Sequence, residues 1–270
     1  HPRLGVMLMR ASELGQLRTA AMIATLVSEP HYAANLVDIE ERLARLKRDN
    51  KPFALALKKE ADRWMSFLPA DMGEKAVGIS VGGILSLAYP DRIGVRRERS
   101  NGSFHLSNGR GAFIDEAEHL AKETLIVAQG VTGAGENSRI ICAAAISQAD
   151  IELLHSGNIS NDLDIAFHQK DGSLSGRTVA KLGAIVLARA PARLSAEQTA
   201  VAFLEAIKKY GLEMLPWSSK GLAWIKRSRF ALGKAAVKSD LEHWLLPLLS
   251  NIRSLNDIKA DVLLEAYKSN

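Results

Sequence analysis

Tyr89-Pro-Asp-Arg-Ile-Gly-Val-Arg-Arg-Glu-Arg-Ser-Asn-Gly-Ser-Phe-His-Leu-Ser-Asn-Gly-Arg-Gly-Ala112 is the stretch on which the reading of the fold turns, because the chain changes character across it. Upstream the pattern is helical. Leu36, Ile39, Leu43 and Leu46 recur at intervals of three, four and three, forming one apolar stripe, with Glu40, Glu41, Arg42, Arg45, Lys47 and Arg48 on the other faces. Pro30 and Pro52 suit the first turns of new helices, and Pro90 ends the apolar helical run Val77–Tyr89. Residues 4–89 read as about five helices and no strand.

Downstream, short β-like runs alternate with turn signals. The runs are Phe104–Leu106, Leu125–Val131, Ile140–Ile146, Leu163–Phe167 and Thr178–Ala188. The turns are Asn101-Gly102, Asn108-Gly109, Gly130–Gly135, Gly157-Asn158 and Asp171-Gly172. With the helical segment Gln148–His155 after the third run, this is the pattern of a five-stranded Greek-key barrel of the OB type. A β-sandwich is the competing reading. From Ala192 helices return: Ser195-Ala-Glu-Gln198 has the form of a capping box, Gly211 suits a C-cap, and helical stretches follow near Leu241–Ser250 and Leu255–Lys268. The expected fold class is α+β and multidomain: a helical ratchet-like domain over 1–90, an OB-like β-barrel over 91–190 and a small, mainly α domain over 191–270.

The 270 residues are 47% hydrophobic with mean hydropathy near zero, an ordinary globular composition. No run approaches the roughly 18 apolar residues that cross a bilayer, and no signal peptide opens the chain. It opens on His1-Pro-Arg-Leu without a Met, as a segment from within a longer polypeptide would. The single cysteine, Cys142, cannot form an internal disulfide, which suits a reducing cytoplasm. Its setting, Arg139-Ile-Ile-Cys-Ala-Ala-Ala-Ile146, predicts a buried, unreactive thiol.

Motifs of catalytic appearance lack their context. Gly78-Ile-Ser-Val-Gly82 has the spacing of a nucleophile elbow, which needs a strand entering and a helix leaving; here it falls in a helical run, where small residues let two helices approach. Gly130-Val-Thr-Gly-Ala-Gly135 has the glycine spacing of a phosphate loop but continues Glu136-Asn137 where lysine and a hydroxyl are required. A hairpin turn accounts for it. The seven histidines show no metal-ligand spacing, and Glu40-Glu41 and Asp162/Asp164 read as solvated acids on a helix face and in a polar turn. No catalytic residue and no metal site is expected.

Net charge is +5, and its distribution carries more than its size. Arg92, Arg96, Arg97, Arg99 and Arg110 stand against Glu98 within nineteen residues, a local excess of 5 − 1 = +4. Guanidinium groups donate paired hydrogen bonds to phosphate oxygens. Asn108 and Gly109 add an amide and close backbone approach, and His105 and Phe104 offer rings for unpaired bases. A solvated basic face with structural ion pairs is the competing account. A second patch, Lys220-Gly-Leu-Ala-Trp-Ile-Lys226-Arg227-Ser-Arg229-Phe230, interleaves four cations with aromatic rings. Trp217, Trp224 and Phe230 fit a structural helix whose charged face touches a phosphate backbone.

Leu87-Ala-Tyr-Pro-Asp-Arg-Ile93, Arg96-Arg97 and Asn108-Gly-Arg-Gly-Ala112 resemble the C-terminal region of the HrpB-type helicases, bacterial ATP-dependent enzymes of the DEAH-box group. His1-Pro-Arg-Leu4 with Glu13-Leu-Gly15 is similar to the start of that family's helicase-associated domain. Lys181-Leu-Gly-Ala-Ile-Val-Leu187 is similar to its last OB strand, and Leu215-Pro-Trp217 with Trp244-Leu-Leu-Pro247 to its C-terminal extension. The resemblance implies an accessory region that guides single-stranded RNA while RecA-like motor domains of the parent protein hydrolyse ATP with magnesium. It carries the arginine segment over as candidate RNA contacts. Neither a Walker A lysine nor a DEAH carboxylate pair occurs in this sequence, so no cofactor is expected in this chain itself. The alternative is a protein-interaction module whose arginines pair with carboxylates of the motor or of a partner enzyme.

Overall fold

The computed structural model describes residues 1–68, 78–98, 100–133, 138–232 and 241–269, the side chains of Arg229 and Leu232 excepted. These fall into two compact units, His1–Ser160 with Ala180–Ala188, and Asn161–Val179 with Arg189–Asn270.

The first unit begins with five helices: α1 (Pro2–Glu13), α2 (Leu17–Ser28), α3 (Ile39–Arg48), α4 (Pro52–Ser66) and α5 (Val81–Ser86). The stripe predicted for α3 is its core face, with Ile39, Leu43 and Leu46 all at most 3% exposed. Each such burial is worth roughly 1.5–3 kcal/mol. Asp38 caps α3 by accepting the Glu40 N–H at 2.8 Å. Pro52 occupies the first turn of α4, as expected. Pro30 does not start a helix; it opens the turns between α2 and α3. The helical run expected over Val77–Tyr89 contracts to α5. Val77 lies outside the described residues, and Ser80 is an N-cap that accepts the Gly83 N–H at 3.0 Å.

Five short strands follow: β1 (Ile93–Arg96), β2 (Ser103–Leu106), β3 (Gly111–Phe113), β4 (Leu125–Thr132) and β5 (Arg139–Ala145). They close a barrel in the order β1-β2-β3-β5-β4, antiparallel except for β3 with β5. A five-stranded barrel is therefore present, but its membership differs from the expectation. β1 and β3 are additional strands. The runs Leu163–Phe167 and Thr178–Ala188 belong instead to a separate three-stranded sheet, β6 (Ile159–His168), β7 (Ser173–Leu182) and β8 (Ile185–Ala192). Lys181–Leu187 accordingly spans the β7–β8 turn, with Gly183 at φ 56°, and is not a barrel strand. Asp162 and Asp164 lie in β6, not in a turn. α6 (Gln148–His155) follows the fifth barrel strand, not the third.

The barrel interior is Phe104, Leu106, Ile114, Ile126, Ala128 and Ile140 with their neighbours. At Gly94, opposite both Leu106 and Ile126, an added Cβ would lie 2.8 Å from Leu106 Cδ2, so the strands pack against bare backbone. Helices α3 and α5 both make close contacts with the barrel. The buried Arg42 of α3 donates to the Leu36 carbonyl at 2.6 Å and to the Ile141 carbonyl of β5 at 3.1 Å. At Gly82 of α5 an added Cβ would lie 1.9 Å from the Ala145 carbonyl oxygen. The small residues of Gly78–Gly82 thus let a helix approach a strand, not a second helix.

The second unit holds α7 (Ala196–Tyr210), α8 (Ser219–Leu232), α9 (Leu241–Leu249) and α10 (Ala260–Lys268). The expected capping box is present: Ser195 Oγ accepts the Gln198 N–H at 3.1 Å, and Gln198 Oε1 accepts the Ser195 N–H at 2.9 Å. Gly211 caps α7 at φ 94°. The core gathers Phe203, Leu204, Ile207, Trp244, Leu245 and Leu263. Tyr267 stands edge-on to both Trp217 and Trp244, with centroids 5.6 and 5.7 Å away. No described helix is long and apolar enough to cross a membrane.

Candidate nucleic-acid interface

The barrel divides the arginine segment between two clefts. β1 carries Arg92 just before its first residue and Arg96 at its last, a separation of about 13 Å at the usual strand rise. The β2–β3 hairpin lies at the Arg92 end, and the segment joining β1 to β2 lies at the Arg96 end.

At the Arg92 end, the hairpin is built by local hydrogen bonds. Gly109 takes φ 86°, a left-handed conformation that glycine adopts without strain. Asn108 Oδ1 accepts the Arg110 N–H at 3.0 Å, an Asx turn. Ser107 Oγ donates to the Pro90 carbonyl at 2.7 Å, and the Asn108 N–H to the Asp91 carbonyl at 3.1 Å. The Ala184 N–H, in the β7–β8 turn, donates to the Ser107 carbonyl at 2.9 Å. A cleft of about 420 Å³ opens here, lined by Arg92, Asn108, Arg110, Gly133 and Ser138 among others.

Its charged groups differ in what is left to a ligand. Arg92 donates to the Gln129 carbonyl at 2.5 Å and stands over the Tyr89 ring at 5.3 Å. Asp91 holds Arg3 through two hydrogen bonds of 2.6 and 3.3 Å. That bond raises the Arg3 pKa against the opposing effect of burial. Arg3 also stands 5.5 Å from the Tyr89 centroid, so one ring faces two guanidinium groups. Arg110 is exposed, and among the described residues its guanidinium has no ion-pair or hydrogen-bond partner. The Tyr89–Ile93 string is therefore mostly a joint between α1 and the barrel, while Arg110 presents its donors to solvent.

At the opposite end Arg96 donates to Asn101 Oδ1 at 3.2 Å, and Arg97 is exposed. They line a second cleft of about 500 Å³ together with Glu98, whose charge opposes theirs. Arg99 lies outside the described residues. His105 is part-exposed on β2, paired in register with Val95. Phe104 is 0% exposed inside the barrel, so it is not available to stack on a base, contrary to expectation. Barrel alternation along β2 separates the two rings.

In the second unit, Lys220, Lys226 and Arg227 are exposed on α8, and the Arg229 side chain is outside the described residues. Trp217 is structural: its indole N–H donates to the Leu212 carbonyl at 2.6 Å. Trp224 and Phe230 are exposed.

Two serine pairs of catalytic appearance are structural. Ser80 Oγ donates to Asp150 Oδ2 at 2.6 Å while capping α5. Ser86, 0% exposed, donates to the Gly83 carbonyl at 2.7 Å and meets His155 Nε2 at 2.7 Å. The hydroxyl has one proton, so the neutral imidazole donates Nε2–H to Oγ. Burial, helped by Arg10, lowers the His155 pKa. Cys142 is buried, as predicted, and burial pushes its thiol up to about 11.

No family model matches the chain. Over 283 aligned positions, 99% of it is 24% identical to the ATP-dependent RNA helicase HrpB of Escherichia coli (strain K12), of which the match takes in 34%. The chain thus spans about a third of the length of this curated relative. The crystal structure of the E. coli DExH-box NTPase HrpB superposes with a TM-score of 0.59 at 21% identity, over 100% of this chain and 34% of that one. A second, of the Escherichia coli DEAH/RHA helicase HrpB, gives 0.55 at 20%, with the same coverage. These structural likenesses show the fold, and the sequence match separately shows similarity to the C-terminal part of the HrpB helicase.

Proposed function

We propose that this chain is the accessory nucleic-acid-binding region of an HrpB-like, ATP-dependent RNA helicase. It guides single-stranded RNA while RecA-like motor domains of the parent protein hydrolyse ATP with magnesium, in the cytoplasm. Residues 1–90, 91–190 and 191–270 contribute the ratchet-like, OB-like and C-terminal segments of this guide, with the OB-like barrel itself made by β1–β5. The observation that carries the reading is the exposed Arg110, which lines an open cleft and has no partner among the described residues, in a chain similar over its length to an RNA helicase. The barrel order 1-2-3-5-4 supports the OB assignment, a fold that takes up single strands at its surface.

The cleft works passively. Arg110 grips a phosphate with several N–H donors at once. Asn108, whose Oδ1 is engaged, keeps its amide protons for acceptors on the strand. Arg96 and Arg97 offer a second phosphate site at the other end of the barrel, so a strand following the barrel surface meets both. Binding of a labelled single-stranded oligouridylate, followed by anisotropy against salt, tests this. Arg110→Ala should weaken binding and lower the logarithmic salt slope by about 1; an unchanged slope removes Arg110 from the interface.

A second reading, docking of this chain onto the motor domains or another enzyme, is favoured by the exposed Val6 and Met9, one turn apart on the outer face of α1. A complex with separately prepared motor domains that is lost on Val6→Asp/Met9→Asp, with no RNA binding by the chain, would select it.

A further inference from the structure

Helix α8 has the sequence Ser219-Lys-Gly-Leu-Ala-Trp-Ile-Lys-Arg-Ser-Arg-Phe-Ala-Leu232, with four cations and no acid. Its apolar contact with the protein is narrow: Gly221 and Ile225 are buried and Ser228 is half-buried, all on one stripe. At roughly 100° per residue, the arc opposite that stripe carries Lys226, Phe230, Arg227, Lys220 and Trp224 in that order. Trp224 is 46% and Phe230 94% exposed. Among the described residues Lys220, Lys226 and Arg227 make no ion pair. Cations and rings therefore share one solvent-facing arc, each ring with a cation beside it.

From this arrangement we propose that α8 is a second contact for single-stranded nucleic acid, in which Trp224 and Phe230 stack on bases and Lys220, Lys226 and Arg227 hold the phosphates between them. The proposal rests on the RNA-guiding reading above and adds a site outside the barrel. Two large rings left partly or wholly in water favour an occupant that covers them. Its charge selects an anionic one.

Its layout then discriminates among anions. A helix that lies on a lipid surface segregates its apolar face from its cations, whereas here the rings sit among the cations and the apolar stripe is already buried. A stacking platform for single strands needs ring and cation side by side, because each nucleotide offers a base and a phosphate together. Six residues separate the rings, about 9 Å along the axis. Successive duplex bases are spaced about 3.4 Å apart and face inward. Rings so far apart suit a splayed single strand.

The experiment uses the full chain with a labelled single-stranded oligouridylate and, in parallel, a duplex of equal length. Trp224→Ala should weaken single-strand binding between about fivefold and a hundredfold, with little change in salt slope. Trp224→Phe, which keeps a stacking ring, should recover most of the affinity. Lys220→Ala/Arg227→Ala should flatten the slope, and duplex binding should be weak and insensitive to Trp224. Circular dichroism and thermal melting of each variant establish that it is folded. If Trp224→Ala binds as the wild type does while Arg110→Ala is weakened, the α8 site is refuted and the barrel reading stands. If Trp224→Ala loses flotation with anionic vesicles but no RNA affinity, the occupant is a lipid surface and the proposal is wrong. A wild-type chain that binds no RNA at low salt removes both readings together.

Discussion

Arg3 and Asp91, 88 residues apart, join the first turn of α1 to the entry of the barrel through paired hydrogen bonds of 2.6 and 3.3 Å. Tyr89 lies under the guanidinium groups of both Arg3 and Arg92. Two strings that resemble the helicase family, His1-Pro-Arg-Leu and Tyr89-Pro-Asp-Arg-Ile, are thereby one structural joint. Both side chains are about 40% exposed, so the pair is worth about 0.5–1 kcal/mol after solvent screening. A double-mutant cycle of Arg3→Ala and Asp91→Ala, read by denaturant unfolding, should return a coupling of that size that shrinks as salt rises. A coupling of zero at low salt would mean the joint is absent in solution.

Two glycines on helices should respond oppositely to the same substitution. At Gly82 the new methyl group would meet the Ala145 carbonyl at 1.9 Å, so Gly82→Ala should cost about 3 kcal/mol as α5 is pushed off β5. At Gly5 in α1 nothing lies within 4 Å, and Gly5→Ala should stabilise by about 0.5–1 kcal/mol. Equal melting temperatures for the two variants would contradict the close helix-on-strand contact.

Acid should loosen the α5–α6 contact through His155. Its pKa in the folded chain lies below the ordinary 6.5, chiefly because of burial. Below about pH 6.5 the unfolded chain takes up a proton that the folded chain resists, so stability falls as pH drops through 6.5. The loss levels off once the pH passes below the folded value, and above 6.5 the group contributes nothing. Unfolding free energies measured from pH 8 to 5 should show this decline, and His155→Gln should remove part of it. An identical pH profile for the variant would rule out His155 as a source.

Thiol labelling reads the barrel wall. With its pKa pushed to about 11 and only 4% of its surface exposed, Cys142 should react slowly with an aromatic disulfide reagent at pH 8 in the native protein. The rate should rise sharply in denaturant. Prompt labelling without denaturant would place Cys142 elsewhere.

The helices, the capping box at Ser195 and the turns at Gly102, Gly109 and Gly172 were legible because each depends on local periodicity or a local backbone requirement. β1 and β3 were not. Ile93-Gly-Val-Arg96 and Gly111-Ala-Phe113 are three or four residues long, and Gly94 and Gly111 remove the side chains that would show alternation. Which sheet a strand joins is a long-range property, so Leu163–Phe167 and Thr178–Ala188 were placed in a barrel they do not form. The same limit governs the site. Proximity in sequence put Arg92, Arg96, Arg97 and Arg110 in one cluster, but a strand carries neighbours to opposite ends of a barrel. Charge could not show that Arg92 is spent on Gln129 and Tyr89 while Arg110 has no partner among the described residues; only the tertiary contacts do.

The central claim is that the barrel cleft grips RNA through Arg110, and the salt dependence of RNA binding tests it most directly. Anisotropy of a labelled single-stranded oligouridylate with the full chain should give an affinity that falls steeply with salt. Arg110→Ala should bind more weakly, with a slope lower by about 1 and an unchanged melting temperature. Identical affinity and slope for wild type and Arg110→Ala, in a wild-type chain that does bind RNA, would contradict the account.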